Sequence, residues 1–233
     1  EEFTLFTKPY YEIPTLIFVR DDFKDYKGIE SFKGKKVGIQ KNIFYAKEVG
    51  EIEGIELVEN ESIEEMAKAL SYGKIDIAIM NLLTMNHYIK KNALSNILAI
   101  DELNLKTVNR EDLRFGVNID QPLLYSIMQK GLEAISVQEW RNLTNKWIGL
   151  NAKELKQLKK ETKIYNNDLL TKEEKEYLNK KNELKICVSP KWMPFEAIDE
   201  NNKHIGMGLD IKEIISKKIS KKITLVKTNS WEE

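Results

Sequence analysis

The sequence predicts an α/β protein whose core is a parallel sheet covered by helices, and three observations predict it. Short apolar strands alternate with amphipathic helices in β-α-β-α-β-α-β order between Lys36 and Ile100, an alternation that builds parallel sheets through helical crossovers. The run Ile75–Met80 (IDIAIM) is apolar except for Asp76, as a strand buried on both faces must be. The helices carry explicit start signals, with Ser or Thr followed three residues later by Glu at Ser62/Glu65, Ser136/Glu139 and Thr171/Glu174. In such a capping box each side chain satisfies a free backbone N–H of the first turn.

Each element follows from its own pattern. Lys8-Pro9-Tyr10 is a turn before the β-rich run Ile13–Arg20 (IPTLIFVR), and Gly28 to Gly34 leads into a short strand at Lys36–Gln40. Phe44 to Glu51 is helical in pattern and Ile55 to Val58 reads as a strand. Over Ser62–Tyr72, Ile63, Met66, Ala67 and Leu70 fall on one helical stripe, and Gly73 supplies the left-handed residue that ends it. Leu82 to Lys91 is a further helix, Ile97 to Ile100 a strand, and Leu113 to Asn118 another strand. Two helices follow, with stripes Leu123, Leu124, Ile127, Met128 and Trp140, Leu143, Thr144, Trp147. Residues 151–182 are dominated by Lys, Glu and Asn and read as a linker with a helix at 171–180 that makes few contacts. Leu184 to Ser189 then restarts a strand, Gly208 to Ile219 a helix, and Lys222 to Lys227 a strand.

Bulk properties exclude several function classes. Lys+Arg and Asp+Glu number 37 each among 233 residues, so no global field favours nucleic acid or an anionic membrane. The 42% apolar content supplies a core. One cysteine rules out an intrachain disulfide framework, and His87 and His204 stand apart with no ligand-spaced partners, so no metal is expected. No run approaches the ~18–20 apolar residues that a membrane span needs. The chain opens at Glu1 within a few residues of a strand and stops at Trp231-Glu232-Glu233 just after one. Both ends are expected to lie inside domains, with targeting or anchoring segments elsewhere.

No catalytic signature is present: no G-x-S-x-G, P-loop, H-E-x-x-H or G-x-G-x-x-G. Gly206-Met207-Gly208 lacks both the third glycine and the preceding strand of a dinucleotide loop. Cys187 lies in the apolar stretch KICVS and reads as a buried structural thiol.

The stretch from Leu184 to Asp210 carries the most information. Its strand, its aromatic-x-Pro-Phe step at Trp192, Pro194 and Phe195, its polar turn at Asp199 to Lys203, and Gly206 with Gly208-Leu209-Asp210 occur in order. This set resembles the opening of family 3 extracellular solute-binding proteins, which fold as type 2 periplasmic-binding, Venus-flytrap domains. The first 149 residues resemble the remainder of such a domain. Thr7-Lys8-Pro9-Tyr10 is similar to the approach to lobe 2, and Phe32 to Gln40 to the segment before its ligand-facing loop. Leu70 to Met80 is similar to the helix-Gly-x-x-Asp-strand unit, and 115–147 to the return to lobe 1 with its closing Trp147.

The resemblance implies an α/β flytrap fold with crossover strands and incomplete tandem domains. Residues 1–149 would be the C-terminal part of a first domain, with lobe 2 complete, 150–182 a charged, partly helical linker, and 183–233 the start of a second domain. The Leu170-Thr171-x-x-Glu174 step and the Ser136–Trp147 helix narrow the resemblance to tandem ectodomains of virulence-type sensor histidine kinases.

It also implies site residues. In the second domain Trp192 takes the stacking position, with the alternative that its indole plugs the core, and Ser189 ends the first strand. Tyr10 is a cleft-edge candidate. In lobe 2, Asn42-Ile43-Phe44 stands where the family has a Gly-Ser-Thr-like loop, and Asn81 where it has an acidic residue. Both departures remove polarity, and Asn42 alternatively serves as a left-handed turn residue. Asp210 is expected to orient its helix rather than bind ligand.

The function implied is non-enzymatic capture of a small organic solute such as an amino acid, without cofactor or nucleic acid, in the periplasm or at the extracytoplasmic face of the inner membrane. One class is a sensor ectodomain with a membrane-anchored signalling partner, homodimeric in the full-length sensor. Another is the binding subunit of an amino-acid-type ABC importer. A third is an enzyme, since flytrap folds also occur in dehydratases and transglycosylases.

Overall fold

The structure, a computed structural model, describes residues 3–24, 26–104, 110–148 and 168–226. Most of the expected linker, 150–167, and the final residues 227–233 lie outside the described residues. The chain divides into two compact units, one spanning 11–112 and one made of 1–10 together with 113–233.

The unit spanning 11–112 is built on a six-stranded sheet. Its strands are β2 (Tyr11–Arg20), β3 (Lys36–Gln40), β4 (Glu56–Asn60), β5 (Ile77–Asn81), β6 (Ile97–Glu102) and β7 (Arg110–Leu113), while the short β1 (Thr4–Phe6) belongs to the other unit. The order is β4-β3-β5-β2-β6, with β7 on β2. Strands β4, β3 and β5 run parallel, joined through α1 (Ala46–Gly50) and α2 (Ile63–Ser71). Strand β2 is antiparallel to both β5 and β6, with Thr15 opposite Asn81 and Ile17 opposite Ile79. Helix α3 (Leu82–Lys91) leads from β5 back to β6. The sheet expected from alternation is therefore present, with one reversed strand inserted into it.

Burial follows the sequence pattern. All five residues of β5 are buried, and Ile17, Val19, Phe32, Val37, Ile39, Tyr45, Val49, Ile77, Ile79 and Leu103 form one apolar cluster. On α2, Ile63, Met66, Ala67 and Leu70 face the core. Ser62 accepts the Glu65 N–H at 3.2 Å, whereas the reciprocal bond of a complete capping box forms only at Ser136/Glu139 and Thr171/Glu174. Arg20 closes the C-terminal end of α2, donating through Nη1 to the carbonyls of Leu70 (3.1 Å) and Ile75 (2.8 Å). Asp76, the one polar residue of IDIAIM, accepts the Lys36 N–H at 2.9 Å and so ties the start of β3 to that of β5.

The second unit gathers separated segments. Strand β1 pairs antiparallel with β8 (Gly116–Asn118), and α4 (Pro122–Glu133) and α5 (Val137–Trp147) follow. The single strand expected over 113–118 is two, because β7 hydrogen-bonds to β2 while β8 pairs β1. Helix α6 (Lys172–Asn179) lies where the sequence places it, but it does not stand free. Its Glu174 is buried and accepts from Ser126 Oγ and Lys130 Nζ, each at 2.7 Å, and Tyr177 donates to Gln121 at 3.0 Å. The expectation of few contacts over 171–180 is thus corrected: Leu170 and Leu178 supply apolar anchors to a segment otherwise read as solvated charge.

After α6 come β9 (Leu184–Ile186), a three-stranded meander of β10 (Lys191–Trp192), β11 (Glu196–Ile198) and β12 (His204–Ile205), then α7 (Met207–Lys218) and β13 (Ile223–Leu225). β13 pairs parallel with β9. Helix α7 packs on α4 and α5. At the α4 contact a Cβ on Gly131 would lie 2.8 Å from Ile215 Cγ2, so the glycine allows the close approach. Gly206 has φ +109° and a Cβ there would meet the Phe195 carbonyl oxygen at 2.5 Å, which explains a glycine before α7. Cys187 is exposed, correcting its reading as a buried thiol: β9 ends at Ile186, one residue before it.

Leu70 is fully buried beneath the sheet. Leu70→Ala is expected to cost ~2–5 kcal/mol in denaturant unfolding, the usual range for emptying a packed leucine site; a loss below about half a kcal/mol would place the α2 stripe outside the core.

Candidate functional site

Two clusters of polar and aromatic residues merit attention, one in each unit. In the unit spanning 11–112, the parallel strands β3, β4 and β5 end at Gln40, Asn60 and Asn81, and the carboxyl edge of such a sheet is where α/β folds bind ligands. Asn42 follows β3 and is exposed, with φ +60°, the left-handed turn conformation anticipated for it. Phe44 beside it is 64% exposed and rests edge-on against Tyr45 at 5.0 Å. Tyr45 is buried, its phenol pushed well up by burial and secondarily by the charge of Glu111, and its hydroxyl donates to the Ile79 carbonyl at 3.4 Å.

Asn81 is fully buried and both ends of its amide are occupied. Oδ1 accepts the Thr84 N–H at 2.9 Å, capping α3, and Nδ2 donates to Glu111 Oε2 at 2.9 Å. A carboxylate thus does reach the end of β5, delivered from β7. Glu111 is buried, and burial raises its carboxyl from 4.5 to about 7 against the lowering pull of Asn81 and Thr15. The sequence reading missed this residue because Arg110-Glu111-Asp112 looks like a polar loop; nothing in the local pattern announces a buried carboxyl.

In the second unit the structure brings Tyr10, Ser189 and Trp192 to one residue that the sequence reading did not single out, Glu196. β10 and β11 pair so that Trp192 stands opposite Glu196. The Ser189 backbone N–H donates to Glu196 Oε1 at 2.7 Å. Tyr10 is within electrostatic reach of the same carboxyl: burial, then the Glu196 charge, push its phenol upward. Its ring also sits 5.3 Å from Phe115 and 6.4 Å from Trp140. Trp192 is half-buried with its ring 5.3 Å from Phe195, which is fully buried, so the indole is partly core and partly accessible. Burial lifts the Glu196 carboxyl from 4.5 to about 7, partly offset by the Ser189 N–H. The signal for it was present in Pro194-Phe195-Glu196, where an acidic residue continues the aromatic-x-Pro-Phe step.

Asp210 does the structural job expected of it: in the first turn of α7, its Oδ2 accepts from Trp147 Nε1 and Lys146 Nζ, each at 2.7 Å. Among the described residues no group of His, Cys, Asp and Glu could hold a metal, and no helix is long and apolar enough to cross a membrane.

Comparison with solved structures gives the fold. A mutant of ArgBP from T. maritima aligns with TM-score 0.55 and 21% identity, over 64% of this chain and 63% of that one. An ancestral arginine-binding protein bound to arginine aligns with TM-score 0.54 and 23% identity, over 63% and 65%. The periplasmic domain of BvgS from B. pertussis aligns with TM-score 0.55 and 17% identity, covering 100% of this chain and 43% of that one. The chain therefore spans less than two thirds of each of these structures. No family model and no curated protein matches the sequence. The fold is the α/β periplasmic-binding, Venus-flytrap fold that the sequence resemblance implied.

The Glu196 carboxyl sets a pH dependence with a definite sign. Its folded pKa is raised, from 4.5 to about 7, so the folded state holds the proton more tightly and stability falls as pH rises through that window. His204, lowered from 6.5 to about 4 mainly by burial, acts in the opposite sense, losing stability as pH falls. The difference between Glu196→Gln and wild type isolates the carboxyl: the Tm advantage of the variant should grow from about pH 4.5 to about pH 7 and then level off. A pH-independent difference would refute the buried-carboxyl assignment.

Proposed function

We propose that this chain is a non-enzymatic, extracytoplasmic module that captures a small amino-acid-like solute and serves in the sensing ectodomain of a transmembrane signalling protein. The observation that carries this reading is the convergence of Tyr10, Ser189 and Trp192 on the Glu196 carboxyl. An accessible indole beside a carboxyl suits a ligand with a positive charge and a short hydrophobic or planar part. The flytrap fold adds weight, since the arginine-binding structure of the same fold is bound to an amino acid.

On this reading residues 1–149 belong to one solute-binding domain, 150–182 connect, and 183–233 open a second. The tandem order favours the sensor role, and the alignment of the BvgS periplasmic domain over the whole chain supports it. The partner would be membrane-anchored signalling machinery, with homodimerisation in the full-length protein, and the location the periplasm. The second reading, the binding subunit of an amino-acid importer, draws on the likeness to ArgBP at a similar TM-score. Asn42 and Asn81 contribute less on either reading, Asn42 as a turn residue and Asn81 as a buried cap.

A thermal-shift panel of the twenty amino acids against this chain tests the proposal. At least one is expected to raise Tm, and Trp192→Ala should weaken that ligand several-fold while moving the unliganded Tm little. No stabilising amino acid, or a Trp192→Ala variant that keeps full affinity, counts against it. A sharp fall in unliganded Tm would assign the indole to the core instead.

A further inference from the structure

A net charge of zero conceals a strong local imbalance. The two segments 180–185 and 217–222 hold seven lysines against one carboxylate, Glu183. With 37 basic and 37 acidic residues in the whole chain, that excess is balanced elsewhere in the sequence. The β10–β12 meander and α7 separate the two segments along the chain, yet the fold joins them. Helices α6 and α7 end in them, and β9 and β13 start from them side by side, with Leu184 level with Ile223. The Leu184 N–H donates to the Lys222 carbonyl at 2.9 Å, and Lys221 Nζ donates to the Lys181 carbonyl at 2.8 Å. Ser220 turns the chain at φ +51° between the pairs Lys217-Lys218 and Lys221-Lys222, and Ser216 Oγ donates to the Lys221 carbonyl at 2.8 Å. The backbone that carries the lysines is thus fixed in both segments.

Three of the seven have local partners. Lys221 braces the Lys181 carbonyl, Lys218 pairs with Glu139 at 3.1 Å, and Lys181 lies over the Tyr177 ring at 5.0 Å. The other four, Lys180, Lys185, Lys217 and Lys222, are exposed, and among the described residues none has an ion-pair partner. Helix ends account for part of this, since positive charge is favourable beside the last carbonyls of a helix, where Lys180 and Lys217 stand. That effect fades beyond the last turn, and it gives no role to Lys185 inside β9 or to Lys222 directly before β13. Like charges gathered on one surface repel one another, and an opposing anionic surface relieves the repulsion.

We propose that this lysine surface docks on the anionic phospholipid headgroups of a membrane. The two segments hold no arginine, whose planar fork suits a shaped carboxylate or phosphate site. Lysines are flexible point charges, and a cluster of them suits a fluid layer of negative headgroups. The neighbouring aromatic, Tyr177, is covered by Lys181 and donates its hydroxyl to Gln121, so its ring does not offer the open face that stacks a nucleic-acid base. The inference goes beyond solute capture and takes from that reading only the location beside a bilayer. It adds an orientation: the end of this unit where α6 and α7 terminate faces the membrane.

Vesicle sedimentation of the whole 233-residue chain tests it. The chain is expected to bind vesicles of equal parts phosphatidylcholine and phosphatidylglycerol at low ionic strength, to leave vesicles of phosphatidylcholine alone unbound, and to release as salt screens the charges. Each lysine near such a surface contributes roughly five-fold in binding, so Lys217→Gln/Lys222→Gln should bind on the order of twenty-fold more weakly. Lys47→Gln/Lys74→Gln, which removes the same charge from exposed positions in the unit spanning 11–112, should bind as wild type does. Should the first variant fail to fold, Lys180→Gln/Lys185→Gln takes its place with the same expected loss.

Equal binding to the two kinds of vesicle, or none to either, overturns the proposal. So does a control variant that weakens as much as the patch variant, because the effect would then belong to net charge and not to this surface. Tighter binding to a single-stranded oligonucleotide or to polyglutamate than to the anionic vesicles, at the same salt, would assign the surface to another polyanion and overturn it as well. None of these outcomes bears on solute capture, which the thermal-shift panel reads separately.

Discussion

The reversed passage of β2 through an otherwise parallel arrangement constrains the rest of the unit spanning 11–112. Within its ten residues, Thr15 to Val19 pair with β5 and Leu16 to Arg20 with β6, and β7 pairs with it as well. A strand in that position must be apolar on both faces along its centre, and Ile17, Phe18 and Val19 are all nearly inaccessible. Its two ends, by contrast, carry polar work. Arg20 secures the C-terminal end of α2 and the turn into β5, while Thr15 lies opposite Asn81 at the far edge. A one-residue slip of β2 would turn its core residues outward and separate both polar ends from their partners together.

The sheet's polar wiring divides by charge environment. Arg20, Asp22 and Asp76 are partly solvated, with ion pairs of 3.3 and 3.8 Å, so their contribution comes mainly from fixing geometry through the Arg20–carbonyl and Asp76–Lys36 bonds. Glu111 is different, because burial raises its carboxyl to about 7 despite the opposing pull of Asn81 and Thr15. Glu174 shows the other outcome. It too is buried, yet Lys130, Ser126 and the Thr171 N–H outweigh burial and hold its carboxyl below the usual range. The contrast turns on compensation: Glu174 meets a lysine ammonium, a hydroxyl and a backbone N–H, whereas Glu111 accepts from the Asn81 amide.

Where local pattern and tertiary role coincided, the sequence was readable. The α2 stripe, the doubly buried β5 and the capping boxes at Ser136 and Thr171 follow from spacing alone, because each signal lies within a few residues of the structure it causes. The site was legible only in part. Tyr10, Ser189 and Trp192 could be singled out one by one, but their common neighbour Glu196 emerges only when β10 and β11 pair. Glu111 was invisible for a stronger reason: its burial is imposed by β2 and β5, far away in sequence, and a Glu flanked by Arg110 and Asp112 carries no apolar signature of its own. Similarly, α6 looked solvated because Lys and Glu outnumber the two leucines that anchor it.

The unit that gathers 1–10 with 113–233 extends this point from single residues to whole segments. Its strand β1 is completed by β8, and its helices α4 and α5 are covered by α7 from much later in the chain. The contact is specific rather than merely apolar. Gly131 admits Ile215, Asp210 joins Trp147 and Lys146, and Lys218 pairs with Glu139 at 3.1 Å. The residues involved come from the stretch that resembles the end of one solute-binding domain and the stretch that resembles the start of another. The Asp210–Trp147 bond, at 2.7 Å, ties the first turn of α7 to the last residue of α5. Specific polar contacts of this kind, more than apolar area, decide which surfaces pair.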